Sequence, residues 1–162
     1  CITSQEDDGT ILYRKLNWPE EWNITVCIPD YELSTDISRS VLPKEVPMGD
    51  AVFNAKRLAM FVEAVNTKDA ELMKIALQDK LHQPYRMKLV PGLDKIIENL
   101  KHEENVLGCV LSGAGPAILV ISQKNDLDKI KSIVKETWED MNVKVNIMTL
   151  PVEPQGAQIV SE

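Results

Sequence analysis

No run of apolar residues in this sequence approaches the roughly 20 that a membrane-crossing helix needs. The first ten residues, CITSQEDDGT, carry neither the basic segment nor the apolar core of a secretion signal. They also lack an initiator methionine, so the chain is expected to be a piece of a longer product. Basic residues are in deficit: 18 Lys and Arg stand against 25 Asp and Glu, a formal charge of −7. Nucleic-acid binding rests on neutralising phosphates, and this balance argues against such a partner. Any anion site must rest on a few placed arginines and backbone amides rather than on a general positive field.

Cysteine is scarce and unpatterned. Cys1, Cys27 and Cys109 make an odd count with no CxxC spacing. Cys27 and Cys109 sit in apolar runs, where a free thiol behaves as a small buried hydrophobe, so a reducing, cytoplasmic compartment is expected. The two histidines, His82 and His102, show no metal-ligand spacing, and no metal site is expected. Nucleotide signatures are missing too. No GxxxxGKS/T, GxGxxG or PxxxGLGSS run occurs, so the chain holds no complete phosphate loop. No Ser/His/Asp set forms a recognisable signature, and Glu6-Asp7-Asp8 and Glu103-Glu104 read as solvated surface.

What the sequence does hold is concentrated in LSGAGPAILV, Leu111 to Val120. The small residues Ser112, Gly113, Ala114, Gly115 and Pro116 separate two apolar runs, Val106–Leu111 and Ala117–Ser122. Both runs are short and rich in Val, Ile and Leu, which predicts buried strands joined by a tight connection. A surface hairpin usually carries Asn-Gly or Asp-Gly and polar flanks. Stripping the side chains lets backbone amides approach a phosphate or a neighbouring element closely. A hairpin chosen for backbone geometry alone stays open at this point.

At 162 residues the chain makes one domain, or one compact half of something larger. Ile11–Leu16 and Ile24–Ile28 read as strands connected through Pro19. Ser34 or Thr35 is expected to cap a helix of about two turns that ends at Leu42, before Pro43. Gly49–Val65 predicts a helix buried on several sides, because its apolar residues lie nearly all round. Thr67 is expected to cap a second helix running to about Gln78. Pro91 marks the first turn of another, with Leu93, Ile96, Ile97 and Leu100 on one stripe. Asp126–Met141 repeats the helical pattern, the alternation at Val143, Val145 and Ile147 predicts a strand, and Gln155–Val160 a last one. This order gives an α+β fold, an antiparallel sheet covered on one face by helices.

Two short stretches offer chemistry. Thr35 and Arg39 are four apart on one helix face, while Ile37 and Val41 are expected to point the other way and fasten the helix to the core. A hydroxyl and a planar guanidinium facing outward together suit a carboxylate or phosphate, or are simply a solvated face. In LHQPYR, Leu81 to Arg86, Gln83-Pro84 is expected to be extended, carrying Tyr85 and Arg86 on a rigid stem. Arg86 either converges with Arg39 on one carboxylate or pairs with an acidic neighbour. His82 has no nucleophile or orienting carboxylate beside it in sequence and reads as a packing or hydrogen-bonding residue.

Four segments, STDISRSVLP (Ser34–Pro43), DKLHQPYR (Asp79–Arg86), LSGAGPAILV and GAQIV (Gly156–Val160), together resemble the homoserine kinase family. That family belongs to the galactokinase, homoserine, mevalonate and phosphomevalonate kinase superfamily. The resemblance runs from Ile24 onward and falls on the family's C-terminal half. It implies a ferredoxin-like α+β C-terminal domain of a two-domain small-molecule kinase. Residues 24–162 would form that substrate-side domain, and 1–23 would lead from an N-terminal ATP-binding domain. The implied reaction is phosphoryl transfer from ATP to the side-chain hydroxyl of L-homoserine, on the path to threonine.

By motif position, the resemblance makes Arg39 and Arg86 the residues that hold the amino acid, chiefly its carboxylate. It makes Thr35 an active-site hydroxyl near the transferring phosphoryl group. Ser112, Gly113, Ala114 and Gly115 would support the nucleotide loop. ATP and Mg2+ are expected mainly on the N-terminal half, none on this piece alone, and the piece alone is expected to be inactive. The implied partners are L-homoserine and the protein's own N-terminal domain, with no nucleic acid and no membrane; a homodimer stays open. Two positions depart from the pattern: Ala117 stands where Thr or Ser is usual, and Gln158 where Arg is usual. A non-catalytic amino-acid-binding regulatory domain, and a kinase of the same superfamily with another alcohol substrate, stay open as alternatives.

Overall fold

The computed structural model describes residues 1–124 and 127–159. Four strands form the main sheet: β3 (Trp22–Pro29), β4 (Val106–Leu111), β5 (Ile118–Gln123) and β6 (Val145–Leu150). Their order is β4-β5-β3-β6, and every neighbouring pair is antiparallel. The helices are α1 (Thr35–Ser40), α2 (Met48–Thr67), α3 (Ala70–Ala76), α4 (Gln83–Arg86), α5 (Leu93–Lys101) and α6 (Leu127–Glu139). Ahead of them, β1 (Ile2–Gln5) and β2 (Ile11–Arg14) pair as a separate antiparallel hairpin. Among the described residues no helix is long and apolar enough to cross a membrane.

Strand alternation sends side chains to both faces of the sheet. Cys27, Cys109, Ile118 and Val120 pack with Leu93, Ile96 and Leu100 of α5 and with Ile130, Val134 and Trp138 of α6. Trp138 is fully buried, and its Nε1 donates to the Pro91 carbonyl at 2.9 Å, which ties α6 to the start of α5. Trp22, Leu107 and Ile121 turn the other way and meet Ala64 and Val65 of α2 and Met73 of α3. The α+β antiparallel fold is therefore present, with α5 and α6 on the expected face and α2 and α3 adding cover on the other. α3 lies close against β4: a Cβ built on Gly108 would stand 2.4 Å from Leu77 Cδ1.

Several boundaries are corrected. Thr67 does not cap α3; it ends α2, where its hydroxyl donates back to the Glu63 carbonyl at 2.8 Å. Asp69 is the cap, its carboxylate accepting the Leu72 N–H at 2.9 Å. Pro91 is not in the first turn of α5, because Gly92 (φ 74°) is left-handed and the helix begins after it. The strand expected at Gln155–Val160 is not formed over 155–159. Pro151 and Pro154 have no N–H to donate to a ladder, and Ile159 is fully exposed, so nothing would reward pairing. Asp126 and Val160, the outer limits of two expected elements, lie outside the described residues.

Candidate functional site

Register brings the candidate residues to one end of the sheet. Ile118, at the start of β5, pairs with Leu111 at the end of β4 and with Cys27 near the end of β3. The glycine turn joins β4 to β5, and the link into α1 leaves β3 at the same end. The two come into contact: a Cβ on Gly115 would lie 3.8 Å from Leu33 and 3.3 Å from Leu111. Gly115 itself is left-handed, at φ 82°, a conformation that a residue with a side chain rarely adopts.

The turn holds itself together. The Ser112 N–H donates to the Ala117 carbonyl at 2.8 Å, and the Gly115 N–H to the Ser112 carbonyl at 3.1 Å. The Gly113 and Ala114 amides donate to no group among the described residues. Gly113 (φ 61°) is exposed and has nothing within 4 Å of a built Cβ, so open space stands in front of the turn. Free adjacent amides facing open space make a surface suited to an anion.

α1 is capped as its sequence indicates, the Ser34 hydroxyl accepting the Asp36 N–H at 3.2 Å. Its anchoring differs from expectation. Ile37 is 51% exposed, and Ser38 is the buried residue, its hydroxyl without a hydrogen-bond partner among the described residues. Two residues four apart do not settle the orientation of a six-residue helix; the contacts around its backbone do. Thr35 and Arg39 are both exposed, and the Arg39 guanidinium makes no hydrogen bond or ion pair among the described residues.

The stretch around Pro84 is helical rather than extended: α4 carries Pro84 in its first turn, where a missing N–H breaks no intrahelical bond. α4 aims two side chains at the turn. Gln83 Oε1 accepts the Leu111 N–H at 2.9 Å, just before the glycines. Arg86 Nε donates to the Ser38 carbonyl at 3.1 Å, and its Nη1 donates to the Gly113 carbonyl at 3.1 Å. One guanidinium thus bridges α1 and the glycine turn. These contacts use two of its five N–H donors and leave the rest for a ligand.

Asp79 and Gln83 are site residues that the motif reading passed over. The Asp79 carboxylate accepts N–H groups from Leu81 at 2.9 Å, His82 at 2.8 Å and Gln83, and a fourth from the Asn54 side chain. Burial pushes its pKa up, but the hydrogen bonds from Asn54, Gln83, Leu81 and His82 outweigh it, and the net shift is downward. An acidic residue shortly before a proline that opens a helix was the available signal. Asp79, Gln83, Arg86, Leu111 and Gly113 line a depression of about 150 Å³, which neither Thr35 nor Arg39 lines. A larger groove of about 270 Å³ runs between α5 and α6, lined by Lys95, Glu136 and Asp140 among others, and shares no lining residue with the depression. Among the described residues no three of His, Cys, Asp and Glu converge on a point that a metal ion could occupy.

Residues 61–140 match the family described as GHMP kinases C terminal. The chain is 41% identical over 162 residues to the homoserine kinase of Aquifex aeolicus, covering 99% of this chain and 53% of that protein. It is 34% identical over 158 residues to the homoserine kinase of Persephonella marina, covering 98% of this chain and 52% of that protein. The crystal structure of homoserine kinase from Cytophaga hutchinsonii superposes with a TM-score of 0.84 at 27% identity, over 93% of this chain and 47% of that one. The chain therefore spans about half the length of the curated relatives it matches.

Proposed function

We propose that this chain supplies the substrate side of an ATP-dependent homoserine kinase, which phosphorylates the side-chain hydroxyl of L-homoserine. The observation that carries the reading is the Arg86 guanidinium, held between the Ser38 carbonyl, on the helix that also carries Arg39, and the Gly113 carbonyl of the glycine turn. The homoserine kinases similar to this chain support the choice of acceptor. Two buried free thiols fit a reducing compartment.

Phosphoryl transfer depends mostly on positioning and electrostatic stabilisation. Bound ATP, with Mg2+, supplies the phosphoryl group. The chain's own contribution is to bind and orient. Arg39 and the remaining N–H groups of Arg86 hold the amino acid's carboxylate, because a planar fork matches two oxygens at once. Thr35 offers an exposed hydroxyl at the start of the same helix as Arg39. The free Gly113 and Ala114 amides fit the anionic nucleotide side, and open space in front of Gly113 admits the loop that carries it.

The test is an acceptor panel on the full-length protein. With ATP and Mg2+ present, phosphate should appear on L-homoserine in preference to mevalonate, galactose and other alcohols. Preferential turnover of a different alcohol would move the chain to another kinase of the superfamily, and no turnover of any would favour a non-catalytic role.

A further inference from the structure

We propose that Asp79 is a positioning residue for the acceptor site, setting α4 so that Gln83 and Arg86 reach the glycine turn and α1. The proposal rests on the functional reading above. A fixed post stands behind it. Along α2, Asp50 holds Lys80 Nζ at 3.1 Å, and Arg57 donates to the Gln78 side chain at 3.0 and 3.2 Å. Phe53 has two cations over its ring, Arg57 at 4.2 Å and Lys80 at 4.8 Å from the ring centre. Asn54 accepts the Lys80 N–H at 2.9 Å and donates to Asp79. Residues 78–80 are therefore fastened to a 20-residue helix before α4 begins.

From that post Asp79 gathers the three amides that open α4. Asp79 Oδ1 takes Leu81 and Asn54, and Oδ2 takes His82 and Gln83. Only an ionised carboxylate offers acceptors on both oxygens; an amide in its place would turn an NH2 group toward N–H donors. α4 is only four residues long, so its direction is set at this end. Gln83 and Arg86 leave it for Leu111, Ser38 and Gly113, and any tilt of α4 moves these contacts together. Small displacements are costly in such sites, since about 1 Å of misplacement can lose roughly a hundredfold in rate.

Steady-state kinetics of the full-length protein test this, comparing wild type, Asp79→Asn and Asn54→Ala with L-homoserine and ATP. Asp79→Asn should raise the KM for homoserine about tenfold or more while the KM for ATP stays within about twofold. Asn54→Ala, which removes one of the four donors, should shift the homoserine KM the same way by a smaller factor. A merely structural role would lower the active fraction, reducing apparent kcat with both KM values unchanged; that result would overturn the proposal. Should Asp79→Asn not fold, Asn54→Ala decides, and an unchanged homoserine KM in it overturns the proposal. Wild-type protein inert toward homoserine would instead overturn the functional reading, before any variant is compared, and the proposal with it.

Discussion

Arg86 Nε donates to the backbone carbonyl of Ser38 at 3.1 Å, joining segments 48 positions apart in the chain. Because Nη1 also holds Gly113, the side chain fastens α1 to the glycine turn before any ligand arrives. Arg86→Ala should therefore cost folding stability as well as substrate binding. Loss of charge-assisted contacts of this kind is worth about 1.5–3 kcal/mol, readable in urea unfolding. Arg86→Lys should recover only part of it, since an ammonium cannot fork between two carbonyls. Equal stability in all three proteins would remove the bridging role.

Trp138 makes the main core sensitive to a single atom. Its ring is fully buried, and Nε1 satisfies the Pro91 carbonyl where the chain enters α5. Trp138→Phe keeps an aromatic ring but leaves that carbonyl unpaired and part of the volume empty. We expect a loss of about 2–4 kcal/mol in unfolding free energy, from the cavity and the orphaned acceptor together. A change well below about 1 kcal/mol would mean that water reaches Pro91.

The two buried thiols predict weakness at alkaline pH. Burial pushes the Cys27 pKa from its ordinary 9.0 to about 12. Burial, then the neighbouring Cys27, pushes Cys109 up as well. Above pH 9.0 the unfolded chain releases both protons while the folded chain keeps them, so stability is full below that pH and falls as it rises toward 12. The slope should reach about 1.4 kcal/mol per pH unit for each thiol. Cys27→Ala should roughly halve it, as followed by urea unfolding between pH 8 and 11. An unchanged slope in the variant would refute the assignment.

The strands around the glycine turn, and the turn itself, were legible because short apolar runs of Val, Ile and Leu flank a stretch with almost no side chains. Ser34 was legible as a cap for the same kind of local reason. What escaped depends on partners remote in sequence. The burial of Ser38 over Ile37 follows from the environment of α1, to which Arg86 contributes from 48 residues away. Pro84 reads equally as a stop or as a start, and the Asp79 carboxylate collecting the amides before it decides for a start. β1 was missed because ITSQ holds a single apolar residue, whereas its equally exposed partner β2, ILYR, carries the Ile, Leu and Tyr that read as strand.

Aminopropanol, which is homoserine without its carboxylate, isolates the contribution of the two arginines. Full-length wild-type protein should prefer homoserine over this analogue by about ten- to a hundredfold or more in kcat/KM, the worth of one charge-assisted contact or more. Arg39→Ala, whose side chain makes no hydrogen bond or ion pair among the described residues, should lose most of that preference while keeping its KM for ATP. An undiminished preference in Arg39→Ala would contradict a carboxylate held by α1 beside the glycine turn.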